Sequence, residues 1–320
     1  MIAAASAPLL AQPRAGAAES GYPARPIRLL VPLAPGGGTD FVARLLAQRL
    51  GEAWGQQVVV DNRPGGSAII ATELLAKSNP DGHTLLLTTM AHVVNPSLFS
   101  KLPYDSVKAF APVILLAQAP SILSAHPAVP ATNVKELVAL AKAKPGQISY
   151  ASFGIGATSH LTGELLKHAA GIDLLHVPYK GAGEAVGYLL SGQVNLMFSS
   201  PASVVPQFKA GKLRALASTA KQRLRALPDL PTFAEQGYPE VNATNWYGVL
   251  VPAGTPQPVI ARLNSELARI LQVPEVSERM QQVLDAEPIG SSPAQFGGFL
   301  QAERERWAKV IRAANIKPRS

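Results

Sequence analysis

A chain of 320 residues is longer than one hydrophobic core usually serves, and its 47% apolar and 16% charged composition excludes a disordered or low-complexity polymer. The lack of any cysteine excludes thiol catalysis, disulfides and Cys-ligated metals. A net charge of +8 favours anionic small molecules arriving by diffusion, whereas the densest basic run, Lys209 to Arg225, lacks the interleaved aromatics or recognised module of a nucleic-acid binder and reads as a solvated face.

Residues 1–20, "MIAAASAPLLAQPRAGAAES", hold a short Ala/Leu-rich run and an Ala15-Gly16-Ala17 suited to signal peptidase, but no basic start. They are read as the remnant of a secretory signal or, alternatively, as a disordered tail. No later apolar run reaches the ~20 residues of a membrane span.

From there β-rich runs alternate with helical patterns: strands at Ile27 to Leu33, Gln57 to Asp61, Thr84 to Thr89 and Pro112 to Leu116, and helices at Phe41 to Trp54 and Ala68 to Lys77. The rhythm then restarts. Helices Val134 to Ala143, Ser159 to Ala170, Glu184 to Leu190 and Val204 to Ala210 alternate with strands Ile148 to Ala151, Leu174 to Val177, Asn195 to Phe198 and Leu213 to Ser218. After a Pro-rich break, Arg225 to Glu240, come the strand "WYGVLVP" and helices Pro258 to Leu271, Pro274 to Leu284 and Pro293 to Ala314. Because these last helices bring few strands, they are expected to complete the first lobe. The expected organisation is lobe 1 from 22–121 and 245–320, lobe 2 from 122–244, with two crossings near Gln118 to Ser124 and Asn242 to Trp246.

Ligands of open α/β sheets collect where strand-to-helix loops converge. "APGGGTD" is such a loop. Its glycines permit close backbone approach, and free N–H groups at the helix start favour an anion. A P-loop would need Gly-Lys-Ser/Thr, which is absent; the spaced third glycine of the dinucleotide fingerprint is absent too. A single carboxylate fits better than a polyphosphate, which Asp40 would repel. "YASFGIGATSHLTGELL" repeats the plan in the second lobe, and further donor-rich loops follow strands at Asn62 to Ser67 and Pro178 to Gly183. Four such loops, two per lobe, point to a ligand held between lobes.

Catalytic arrangements are weak. No two of the six histidines lie four residues apart, so no metal site is expected. Ser159 and His160 are adjacent on a helix and do not face each other as a nucleophile and base must, and no Gly-x-Ser-x-Gly elbow exists. His160 reads as a loop-fixing residue, Asp40 as a cap or a clamp on loop backbone. Trp246 and Tyr247 either wall the cleft or pack in the core.

At this point six stretches, "YPARPIRLLVPLAPGGGTD", "VVVDNRPGGSAIIATELLAKSNPDGHTLLL", "YASFGIGATSHLTGELL", "HVPYKGAGEAVGYLLSGQVNLMF", "GKLRALASTAKQRLRALPDLPTFAEQGYP" and "NWYGVLVPAGTP", together resemble the Bug-type solute receptors of tripartite tricarboxylate transporters, in the expected order from Tyr22 onward. The resemblance implies an α/β fold of two lobes, the type II periplasmic binding protein or Venus flytrap, with two parallel-rich sheets. It implies a non-enzymatic periplasmic receptor, acting as a monomer without a cofactor, that captures a small carboxylate and delivers it to membrane subunits of a transporter.

It also implies two pincer loops, here Pro35, Gly36, Gly37, Gly38, Thr39 and Asp40 opposed by Ser152, Gly154, Gly156, Thr158, Ser159 and His160. Asn62, Gly65 and Gly66, with Tyr179, Lys180 and Gly181, match other cleft loops. One position departs from the family: after "NLMF" an acid is common, and here Ser199 stands, which disfavours an ammonium-bearing ligand and leans toward mono- or dicarboxylates. Two rival readings are a ligand sensor for a signalling partner and an enzyme of the acyl or phosphate-ester transferase class.

Overall fold

The computed structural model describes residues 21–316, so the leader reading of residues 1–20 lies outside the described residues. Eleven strands and ten α-helices follow one another there. The first half of lobe one comprises β1 (Ile27–Val31), α1 (Gly38–Trp54), β2 (Val58–Asn62), α2 (Ile69–Ala76), β3 (Thr84–Thr88), α3 (Ala91–Leu98) and β4 (Phe110–Ala119). The next stretch comprises β5 (Ile122–Ala125), α4 (Val134–Ala143), β6 (Ser149–Ser152), α5 (Thr158–Ala170), β7 (Leu175–Pro178), α6 (Ala182–Leu190), β8 (Leu196–Ser199), α7 (Pro201–Lys209) and β9 (Arg214–Ser218). The chain then returns through β10 (Asn245–Pro252), α8 (Gln257–Leu271), α9 (Pro274–Leu284), β11 (Glu287–Pro288) and α10 (Pro293–Ala313).

The strands form two sheets, ordered β11-β4-β10-β3-β1-β2 and β7-β6-β8-β5-β9. The two-lobed α/β architecture is therefore present, but the sheets are mixed rather than parallel-rich. The parallel part comes from strand-helix-strand units, β1 with β2 and β3, and β6 with β7 and β8. The antiparallel part comes mostly from strands next to the crossings: β10 runs against β3 and β4, and β5 against β8 and β9, while the short β11 also runs against β4. A strand that enters from the other lobe needs no crossover helix, so nothing forces it to run parallel.

Three elements escape the sequence reading. α3 is short and carries Pro96 in its last turn, which hides its helical pattern. β5 lies where a crossing is expected, because β4 extends to Ala119 and leaves only Pro120 and Ser121 between the two strands. β11 is two residues long.

Both faces of the first sheet are buried, which explains its uninterrupted apolar runs. Leu29 and Val31 pack with α1, α8 and α9 side chains such as Leu46, Leu263 and Met280, while the intervening Leu30 packs with Val94, Trp246 and Trp307. The three C-terminal helices thus complete this lobe. Asn245 ties the crossings together, donating through Nδ2 to the Pro120 carbonyl (3.3 Å) and Ser121 Oγ (3.0 Å). Of the basic run, Arg214 donates to the Val129 and Ala131 carbonyls, Arg223 pairs with Glu235, and Lys209, Lys212 and Lys221 stay exposed.

Gly248 sits at the centre of β10, and any side chain there would collide with the fully buried Phe296 ring of α10. Gly248→Ala should therefore destabilise the protein by about 1–3 kcal/mol through overpacking. Urea denaturation checks this, and a parental midpoint would show that α10 gives way freely.

Candidate functional site

A cavity of about 690 Å³, including its open mouth, lies between the lobes. Its wall is built where strands end and helices begin. Gly37, Gly38 and Thr39 start α1; Ser67 and Ala68 form the 3-10 turn before α2; Thr89 and Ala91 flank the start of α3. From the other lobe, Ala157 and Thr158 start α5, Ala182 starts α6 and Ser200 precedes α7. Leu33, Ala34, Phe153 and Ile155 supply apolar surface, and Asn245, Trp246 and Tyr247 of β10 form the remaining wall.

Six helix starts, three from each lobe, therefore meet at one cavity. None of the six has a side-chain cap. At α1, α5 and α6 the first three N–H groups have no backbone partner and stand at the positive end of a dipole equivalent to about half a charge, whereas turn bonds take up Ile69 N–H at α2, His92 and Val93 N–H at α3 and Ser203 N–H at α7, where Pro201 removes a further donor. Among the described residues, no charged side chain lines the cavity. The Tyr247 hydroxyl on the wall is kept protonated because burial pushes its pKa up.

The loops are pinned by one device used three times. In α1 the third helical residue, Asp40, accepts from the Gly36 N–H (3.1 Å). His160 Nδ1 in α5 accepts from the Gly156 N–H (3.2 Å), and Glu184 in α6 accepts from the Lys180 N–H (3.1 Å). In each case the bond spans four residues and catches the residue just before the N-cap, so the first helical N–H groups stay available to a ligand. Gly36 and Gly156 hold φ of +90° and +77°, a region that favours glycine. Asp40 also accepts from Arg44 Nε (2.9 Å) and Asn62 Nδ2 (3.1 Å), and Asn62 donates to the Leu33 carbonyl (3.0 Å).

The residues singled out from the sequence divide accordingly. Gly37, Gly38, Thr39 and Thr158 lie on the cavity wall. Asp40, Asn62 and His160 stand behind it as loop clamps, as does Ser159, whose Oγ accepts from the Phe153 N–H (3.0 Å). Ser152 Oγ bonds Gly154 and His176 Nε2 rather than facing the cavity. Pro35, Gly36, Gly154, Gly156 and Lys180 shape the loops, while Tyr179 stacks on Tyr188. Gly65 and Gly66 turn the chain with φ of +110° and +54°, presenting the following Ser67 and Ala68 to the cavity. Ser199 is buried in β8 with its hydroxyl unpartnered among the described residues, and the neighbouring Ser200 reaches the wall instead.

The lobes are in contact around the cavity. A Cβ placed on Gly181 would lie 2.7 Å from that of Ala34, and one on Gly37 would lie 3.1 Å from that of Ala182. Gly156 abuts Asn95 and Val94 of α3, and Arg225 Nη1 reaches across to Gln281 Oε1 of α9 (3.0 Å). These glycines are where the two lobes close onto each other. Sequence reasoning overlooked α3 and Ala68, although Ala68 directly follows the recognised loop Asn62 to Ser67.

Burial alone would raise the Asp40 carboxyl, but the bonds from Arg44, the Gly36 N–H and Asn62 outweigh it and hold the group below its usual range. A carboxyl so depressed contributes stability above its unfolded pKa of about 3.9 and loses it as pH falls through the folded value. Asp40→Asn should thus be less stable than the parent at neutral pH, and the gap should close below about pH 3.9. Paired denaturant midpoints across this range test the clamp, and a gap unchanged by acid would refute it.

Comparison with known proteins agrees with this geometry. A family model described as the tripartite tricarboxylate transporter family receptor matches residues 42–316. Protein BugT of Bordetella pertussis is 38% identical over 298 residues, covering 92% of this chain and 91% of its own. The solved periplasmic binding protein BugD superposes with a TM-score of 0.89 at 37% identity, over 93% of this chain and 100% of that one. Rpa4515 of Rhodopseudomonas palustris, solved with adipate, gives 0.90 at 36% identity over 93% and 100% of the two chains. MatC of the same organism, with bound malate, gives 0.85 at 33% identity over 91% and 100%. The chain thus belongs to the tripartite tricarboxylate transporter receptor family, a family of solute-binding receptors rather than enzymes.

Proposed function

We propose that this protein is a periplasmic receptor that captures a small mono- or dicarboxylate between its lobes and delivers it, as a monomer and without a cofactor, to the membrane subunits of a tripartite tricarboxylate transporter. The observation that carries the reading is the meeting of six uncapped helix starts at a cavity with no charged side chain. Such a wall favours negative charge through N–H groups and dipoles, and charge-assisted hydrogen bonds contribute about 1.5–3 kcal/mol each when water is excluded. An α-ammonium group would find no carboxylate on the wall, so amino acids are disfavoured. The similar proteins solved with adipate and malate support the ligand class.

Closure follows from the same electrostatics. Bringing three positive helix ends of one lobe against three of the other is unfavourable until an anion sits between them. The anion therefore binds the closed form better and shifts the population toward it. The transporter then reads the closed shape, while the ligand leaves unaltered.

A thermal-shift panel tests the proposal: small mono- and dicarboxylates should raise the melting temperature while amino acids should not, and stabilisation by amino acids alone would overturn it. Gly38→Val should abolish the carboxylate response, because a side chain there would meet Tyr247 Oη at 2.7 Å and Ser200 Oγ at 2.9 Å; it would also press on the buried Leu284 Cδ2 at 2.9 Å, so circular dichroism accompanies the titration to show that the variant is folded. Titration calorimetry should also give an affinity that is flat from about pH 6 to about pH 9, since no group on the wall changes charge there. An inflection near the histidine range would contradict a wall made of backbone donors.

A further inference from the structure

Tyr247 sits on β10 between β3 and β4, and pairing with both strands fixes its backbone. Its side chain is 2% exposed, and the ring packs in the core that also holds Leu45, Met280 and Leu284. The hydroxyl nevertheless forms no hydrogen bond among the described residues, and burial alone raises its pKa, with no bond or charge acting on it. The indole N–H of the preceding Trp246 is also unpartnered among those residues but is sealed from any guest, whereas the Tyr247 hydroxyl keeps accessible surface on the cavity wall.

A buried tyrosine hydroxyl ordinarily finds a partner. As core filler the ring would suffice, and the hydroxyl would add only the cost of burying a polar atom unpaired. Its position shows what it can bond. A Cβ placed on Gly38 would lie 2.7 Å from Tyr247 Oη and 2.9 Å from Ser200 Oγ. Gly38 opens α1 in the first lobe and Ser200 precedes α7 in the second, so the hydroxyl stands where the lobes meet. The N–H groups of Gly38, Thr39 and Asp40 at this helix start have no backbone partner either.

These groups are alike in kind. Backbone N–H groups only donate, and a phenol that stays protonated donates far better than it accepts. An oxygen that carries negative charge is the guest that satisfies such donors together, and bonds to it are stronger than bonds to a neutral acceptor. Because Ser200 covers this point from the second lobe, the bond forms away from bulk water when the lobes are together. It therefore favours the closed form.

We propose that Tyr247 is a ligand-binding residue whose hydroxyl donates to a carboxylate oxygen of the guest beside the start of α1, selecting ligands that present an acceptor oxygen where the lobes meet. The inference rests on the carboxylate reading given under the proposed function.

Tyr247→Phe removes the hydroxyl and keeps the ring. Calorimetric titration of the whole protein at pH 7.5 with acetate, succinate and adipate should show binding by the parent that is weakened about tenfold or more in Tyr247→Phe. Urea denaturation without ligand should give Tyr247→Phe a midpoint equal to or above that of the parent, because the hydroxyl has no protein partner to lose. A lower midpoint would show that the hydroxyl serves the fold, and an unaltered affinity for a carboxylate that the parent binds would show that it does not touch the guest. Either result overturns the assignment of Tyr247 alone. Failure of the parent to bind any of the three carboxylates would overturn the carboxylate reading, and this inference with it.

Discussion

Unpaired backbone donors gathered at one point govern this structure. Six helices, three per lobe, begin uncapped at the same cavity, and their N–H groups and dipoles face a space that contains no formal charge. Without a negative guest the two sets of positive ends repel across the cleft, and with one they are held together. On the proposed reading, ligand recognition and lobe closure are the same electrostatic event, as a receptor whose closed shape carries the message requires.

Such a site functions only if its loops are held before the ligand arrives. The repeated bond from the third helical side chain to the N–H just before the N-cap does this at Asp40, His160 and Glu184. The clamping side chains differ, a carboxylate, an imidazole and a second carboxylate, but their geometry is shared. Each uses a donor on the far side of the loop and leaves the ligand-facing donors untouched. The glycines serve a related purpose, since at Gly38 and Gly181 any side chain would collide with its neighbours, and at Gly37 one would crowd Ala182 across the cleft.

Much of this was legible in the sequence. The alternation of strands and helices, the restart at Val134 and the return through "WYGVLVP" foretell a two-lobed α/β chain, and the missing lysine after Gly38 steers the guest from polyphosphate to carboxylate. The roles within the loops were harder to read, because spacing alone does not separate a residue that touches the cavity from one that holds the loop behind it. Asp40 and Thr39 are neighbours, yet only Thr39 reaches the wall. α3 was hidden by Pro96, and with it Thr89 and Ala91 escaped notice. Antiparallel β5 and β10 were equally obscure, since strand direction depends on which lobe the chain arrives from rather than on local composition.

The central claim is that negative charge, not shape, closes the lobes. Small-angle scattering of the protein with a linear dicarboxylate and with its neutral diamide, which has nearly the same outline, tests it most directly. The account predicts that the radius of gyration falls with the dicarboxylate and stays at its ligand-free value with the diamide. An equal contraction with both would show that shape suffices and would contradict the electrostatic account.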